Sequence, residues 1–358
     1  MITVFSPGRI NLIGEHTDYN QGFCLPLTLG IGITATIKIT DDQVIRLSSD
    51  YEKPTIVHQF SFSDVWERKG HWVDYCLGVI LEIRDQFSLN QGFEIDISSN
   101  LPACSGLSSS AALEVSVARA LAKAFHLPLS PKEIGLLSQR AENKFVGVNC
   151  GVLDQLAIAM DYGGSCQLID ARDLSVQAYP FQPPDGYLVI INSQIERTLV
   201  ASAYNTRRFE CEQAVQALQK YGFKVSSLRE VSEPMLNYLP KNTTLHKRAK
   251  HVMTENSRVL HCWDAIQQGN WRRVGKLWNE SHESLRQDYE VSCPALDFLV
   301  SEIQAVPDTF GCRMTGAGFG GCVIALTPPT QLNQHWGDIA ARYNQRFGVT
   351  PRLINSGI

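Results

Sequence analysis

Residues 92–125, GFEIDISSNLPACSGLSSSAALEVSVARALAKAF, join two hydrophobic periods through a short loop. Phe93, Ile95 and Ile97 alternate with Glu94 and Asp96, the period-two pattern of a half-buried strand over 92–98. From about Ser108 to Phe125 the apolar residues recur at helical spacing. The connecting residues carry Gly106 and then Ser108-Ser109-Ser110. The first turn of a helix leaves about four backbone N–H groups unpaired at the positive end of its dipole. A loop of small residues leading into such a turn is a ready seat for phosphate oxygens. Serine hydroxyls there can add donors or act as hard oxygen ligands of Mg2+. Simple N-capping would need one serine, not three.

On either side, strands and helices alternate without a repeat. Thr3–Ser6 and Ile31–Ile39 read as strands, Gly8–Gly22 as a turn-rich loop, and Trp72–Ile83 as a helix. Ser130-Pro131-Lys132-Glu133 is a capping box with proline at the first helical position. Ile134, Leu137, Ala141 and Phe145 continue it as a buried stripe. Further helices are expected at Leu153–Met160, Ser202–Tyr221, Arg248–Gln268 and Cys293–Ala305, and buried strands at Tyr187–Ile191 and Cys322–Leu326. The class predicted is α+β, or mixed α/β. A chain of 358 residues suggests two domains, with the division expected at 1–175 and 176–358.

Composition narrows the setting. A net charge of −4 and the absence of a basic stripe do not favour a nucleic-acid partner. The apolar runs are strand-sized, so no membrane span is expected. Ten scattered cysteines without a CxxC point to a reducing, cytoplasmic chain with neither a disulfide framework nor structural zinc.

Two other segments concentrate polar chemistry. Ser6–Asn20, SPGRINLIGEHTDYN, packs Arg9, Glu15, His16 and Asp18 among glycines and asparagines. Carboxylates and an imidazole on a rigid loop can match the fixed hydroxyls of a sugar. The plain alternative is a turn held by Asx-type bonds. Met314–Leu326, MTGAGFGGCVIAL, fits GxGxxG at Gly316, Gly318 and Gly321. That fingerprint requires a helix to follow, and a strand-like run follows instead, so a dinucleotide-binding oxidoreductase is excluded by context. What remains is a glycine loop between strands, either a close backbone approach to a ligand or a tight hairpin. Glu142, one position past Ala141, reads as a solvated glutamate. Asp154, in a first helical turn, reads as an acid favoured by the dipole.

Taken together, these segments resemble the galactokinases, within the GHMP group of small-molecule kinases. Gly8–Pro26 is similar to the galactokinase signature, Leu101–Leu113 to the phosphate-binding motif, and Met314–Cys322 to the third motif. Arg248–Val259 and Asn279–Leu299 resemble galactokinase sequence as well, so the likeness covers nearly the whole chain. It implies a two-domain GHMP-type fold with its active site in the cleft, and transfer of the γ-phosphoryl group of ATP to the anomeric hydroxyl of galactose. By motif position it implies Asp154 as catalytic base with Arg9 as its partner. Glu15, His16, Thr17, Asp18, Gly151 and Tyr204 would bind the sugar. Cys104, Ser105, Gly106, Leu107, Ser108, Ser109 and Ser110 would wrap the nucleotide phosphates, with Trp72 near the adenine. Ser110 and Glu142 would ligate Mg2+. A monomer is expected. The alternatives are a kinase for a related galactose-like sugar and a sugar- and ATP-binding regulator without turnover. Intact Arg9, Asp154 and Ser108-Ser109-Ser110 argue against the regulator.

Overall fold

The computed structural model describes residues 1–102, 106–184, 186–195 and 200–357. Cys104 and Ser105 therefore lie outside the described residues.

A mixed sheet of eight strands dominates the first half: β1 (Ile2–Asn11), β2 (Phe23–Cys24), β3 (Pro26–Thr40), β4 (Val44–Ser49), β5 (His58–Ser61), β6 (Gly92–Ser99), β7 (Ser165–Asp170) and β8 (Ser175–Pro180). Only the β4–β6 pair is parallel among its described pairings. β6 behaves as its alternation demands: Phe93, Ile95 and Ile97 are buried while Asp96 is exposed. β1 is longer than the expected Thr3–Ser6. It runs on through Asn11, because a register shift against β3 between Pro7 and Arg9 absorbs Pro7-Gly8 and returns Ile10 to the core. The turn-rich loop thus begins after Asn11, and Arg9 sits on a strand.

Four helices layer together and pack on this sheet: α1 (Val73–Arg84), α2 (Ser109–Ala124), α3 (Pro131–Ala141) and α4 (Leu153–Met160). The expected capping box forms at Ser130 and Glu133. α3 ends in a π turn, Glu142–Val146.

The second half holds an antiparallel sheet with order β10-β11-β9-β12, formed by β9 (Leu188–Asn192), β10 (Gly311–Thr315), β11 (Cys322–Leu326) and β12 (Arg352–Ile354). Around it run α5 (Val200–Lys220), α6 (Glu233–Leu236), α7 (Thr244–Gln267), α8 (Trp271–Ser284), α9 (Pro294–Gln304) and α10 (Pro329–Phe347). α8 and α10 were not expected from the sequence. Their buried residues nonetheless keep helical spacing, Val274, Leu277, Trp278 and Ser281 in α8 and Leu332, Ile339 and Tyr343 in α10. The change from the first sheet to the second falls at 181–187. One apolar cluster nevertheless bridges the halves, with Trp263 and Trp278 joining residues of the first sheet and its helices. All nine described cysteines are free thiols. No described helix is long and apolar enough to cross a membrane.

Candidate active site

A cavity of about 450 Å3 opens where the two sheets and the α1–α4 layer meet. Arg9, Glu15, His16, Asp18, Ser110, Glu142, Gly151, Asp154 and Tyr204 all line it. They come from β1, the loop after it, the α2 start, the α3 end, the α4 start and α5.

At its centre, Arg9 grips Asp154 in a two-pronged ion pair, Nε to Oδ1 at 2.8 Å and Nη2 to Oδ2 at 2.6 Å. The Arg9 side chain is 6% exposed and that of Asp154 is 32%, so the carboxylate keeps a face toward the cavity. The third arm of the guanidinium donates to the Gly106 carbonyl at 3.1 Å, and the Arg9 amide donates to the Leu107 carbonyl at 3.1 Å. The strand carrying Arg9 is therefore tied to the residues that lead into α2. The three serines diverge. The Ser108 hydroxyl donates to Asp154 Oδ2 and caps no helical amide, with the residue itself at φ 60°. Ser109 is exposed, and Ser110 faces the cavity. Simple N-capping does not describe this segment.

The loop 12–24 presents its polar groups in two ways. Asp18 accepts from the Leu153 amide at 3.3 Å, and burial, with the charge of Asp154 adding, raises its carboxyl to about 6. A Cβ on Gly151 would lie 1.8 Å from Asp18 Oδ2, so only glycine leaves room for that carboxylate. His16 places Nδ1 2.9 Å from the Tyr19 hydroxyl and Nε2 3.2 Å from the Ala317 carbonyl. A carbonyl can only accept, which assigns the proton to Nε2. Burial lowers this imidazole to about 3, so it stays neutral. Tyr204 stands 5.5 Å from it, ring to ring, and its hydroxyl accepts from the Gly151 amide at 3.4 Å. Thr17 does not reach the cavity. It is fully buried, and its hydroxyl lies 2.8 Å from the Gly14 carbonyl and 2.7 Å from that of Phe23, holding the loop itself.

Glu15 pairs with Arg313 of β10, both side chains almost wholly buried, and accepts from the Gly316 amide at 3.1 Å. Burial pushes its carboxyl upward while the Arg313 charge pulls it back. The guanidinium keeps its proton, so Arg313 brings a full positive charge to the pair. The third motif is an antiparallel hairpin, β10 to β11, whose Gly316 and Ala317 also line the cavity. Gly318, at φ +83°, could not carry a Cβ, which would lie 2.2 Å from the Val291 carbonyl.

Glu142 is buried, not solvated, because the π turn at the end of α3 faces α1. Gln155 donates one amide to both Glu142 Oε2 and Glu114 Oε2, and the Cys150 thiol donates to Glu142 Oε2 at 3.4 Å. Glu142 Oε1 makes no hydrogen bond among the described residues. With the Ser110 hydroxyl on the same cavity it forms a hard-oxygen donor set, which fits Mg2+. Burial raises both glutamates, Glu114 well above the ordinary range. Trp72 does not line this cavity. It stands before α1 against His58 and His71, and the aromatic of that segment lining the cavity is Tyr75. Tyr75, Asn11, Gln155 and Arg313 were not singled out in the sequence. Gln155 adjoins Asp154, and Tyr75 lies three residues after Trp72, but neither spacing distinguishes them from core residues.

A glycine-bearing loop at a helix start, a hairpin glycine loop and an arginine–aspartate pair around one cavity define a small-molecule kinase of the GHMP class. Family models agree: GHMP kinases N terminal domain matches residues 74–162, and GHMP kinases C terminal matches 264–345. The galactokinase galactose-binding signature matches residues 2–39. The chain is 41% identical to a galactokinase of Roseiflexus sp. (strain RS-1) over 357 residues, covering 98% of this chain and 90% of that protein. It superposes on Lactococcus lactis galactokinase complexed with galactose with a TM-score of 0.93 at 35% identity, covering 98% and 92% of the two chains. Methanococcus jannaschii mevalonate kinase shares the fold, with a TM-score of 0.66 at 20% identity over 99% and 97%. The chain belongs to the galactokinase family.

Proposed function

We propose that this protein transfers the γ-phosphoryl group of ATP to the anomeric hydroxyl of galactose, giving galactose 1-phosphate. The observation that carries the reading is the Arg9–Asp154 pair, set on one cavity between the end of the phosphate loop and the polar loop 12–24. Asp154 takes the proton of the attacking hydroxyl. It does so late, as a loose phosphoryl-transfer transition state allows, so a weak base suffices. Arg9 holds that carboxylate in place and offsets the charge that develops on the moving group. Ser108, donating to Asp154, fixes the carboxylate's rotamer. Asp18, neutral His16 and the Tyr204 hydroxyl orient the sugar, and the amides at the α2 start receive phosphate oxygens. Glu142 and Ser110 would hold Mg2+, which would neutralise phosphate charge there. The segments on either side of 181–187 are taken as the two lobes of the cleft, and nine free thiols support a reducing, cytoplasmic setting.

The test is a sugar panel with purified protein, ATP and Mg2+, read as ADP release. Release with galactose but not with glucose or talose is expected. No release with any sugar, alongside measurable sugar binding, would overturn the reading in favour of a regulator.

A further inference from the structure

Outside the catalytic cavity, three chain segments bring two imidazoles and a carboxylate together. Glu52 comes from the loop after β4, His58 opens β5, and His71 stands just before α1. His58 Nε2 lies 3.0 Å from Glu52 Oε2, and His71 Nε2 lies 3.1 Å from Glu52 Oε1. All three ligand atoms fall within 4.8 Å of one another. We propose that Glu52, His58 and His71 form a binding site for a divalent transition-metal ion of the zinc type.

The spacing suits the ion. Zinc bonds of about 2.0–2.1 Å in a tetrahedron set neighbouring ligand atoms about 3.3 Å apart, and Glu52 Oε1 lies 3.2 Å from His58 Nε2 and 3.1 Å from His71 Nε2. Two imidazole nitrogens and one carboxylate oxygen favour zinc, cobalt or nickel over magnesium, which prefers oxygen alone. The frame around the site is built. The carboxylate of Asp74, itself 2% exposed, accepts the backbone amides of Lys69, Gly70 and His71 at 3.0, 2.7 and 3.1 Å, which fixes the turn carrying His71. The Trp72 ring lies 5.7 Å from that of His58 and 5.9 Å from that of His71. Access remains: the His71 side chain is 42% exposed and that of Glu52 12%, leaving a path for the ion. A bound ion would tie the loop after β4 to the start of α1, the helix that carries Tyr75 into the catalytic cavity. The plainer account, two N–H···carboxylate bonds with no ion, uses the same geometry and differs only in metal capture.

The experiment dialyses the full, tag-free chain against micromolar Zn2+ with millimolar Mg2+ present and measures bound zinc by mass spectrometry. Cobalt loading is followed by visible absorption. One zinc per chain and an intense four-coordinate cobalt spectrum are expected. His58→Ala, His71→Asn and Glu52→Gln should each weaken binding by at least about tenfold. Galactose-dependent ADP release with Mg2+ should be unchanged in all three, which verifies their folding independently of zinc. The proposal is overturned if the wild-type chain holds no more zinc than a His58→Ala/His71→Asn double variant that retains this activity.

Discussion

Asp154 has two neighbours that hold its carboxylate and one open side. Arg9 takes both oxygens, Ser108 adds a donor to Oδ2, and the remaining exposure faces the cavity. Asp154→Asn keeps this shape and removes the base, so ATP and galactose should still bind while kcat falls by roughly 10²–10⁴-fold. Isothermal titration beside steady-state kinetics checks it, and near-normal turnover would remove Asp154 from its role. Asp18 supplies a pH test. With its carboxyl raised to about 6, it is ionised above that pH and protonated below. An ionised carboxylate only accepts hydrogen bonds, and protonation spoils its match to sugar hydroxyls. The KM for galactose should therefore rise as pH falls through about 6. Buried His16, neutral across that range, adds nothing to the slope. Asp18→Asn should raise the KM and flatten its pH dependence; a slope unchanged in that variant would assign the titration to another group.

At the scale of elements, the α4 start shows how closely the pieces fit. Gly151 packs on Asp18, and the Leu153 amide donates to the same carboxylate. Gly151→Ala must push Asp18 aside. Galactose affinity should drop at least about tenfold, in proportion to lost positioning, with thermal stability nearly unchanged. A sugar titration with a parallel melting curve reads both, and unaltered affinity would show that Asp18 can move freely. This contact also marks what the sequence could disclose. Period and capping signals located β6, α2, α3 and α4 well, since each buries one regular stripe. Pro7-Gly8 reads as a turn and so puts Arg9 in a loop; the register shift that keeps β1 going depends on β3, some twenty residues away. Glu142 reads as solvated because periodicity sees one helix at a time. The π turn, with α1 and the Gln155 amide, covers the face that α3 alone would expose. The Glu114–Gln155–Glu142 network joins three separate segments, and no local pattern encodes such a meeting.

At the scale of the molecule, the end of β1 and the loop that follows it help to join the two sheets. Arg313 donates to the Leu12 carbonyl at 2.8 Å and pairs with Glu15, while Thr315 Oγ1 both accepts from the Asn11 amide and donates to the Asn11 carbonyl. Glu255 of α7 accepts from the Gly14 amide at 3.1 Å, and Arg258, His251 and Arg313 hold its carboxyl down near 2 against the effect of burial. The Arg313 guanidinium is fully buried, so replacing Glu15 leaves Glu255 alone to offset a charge that water cannot reach. Glu15→Gln should therefore cost about 3–5 kcal/mol of unfolding free energy. Replacing both, as Glu15→Gln with Arg313→Met, removes that charge and should recover part of that loss. Because the same contacts bind the loop to β10, the wild-type chain should unfold in urea as one transition, monitored together by far-ultraviolet dichroism and tryptophan fluorescence. In Glu15→Gln the two probes should separate as the halves uncouple. Coincident probes with a loss under about 1 kcal/mol would mean that the apolar cluster bridging the halves, rather than this buried ion pair, keeps them together.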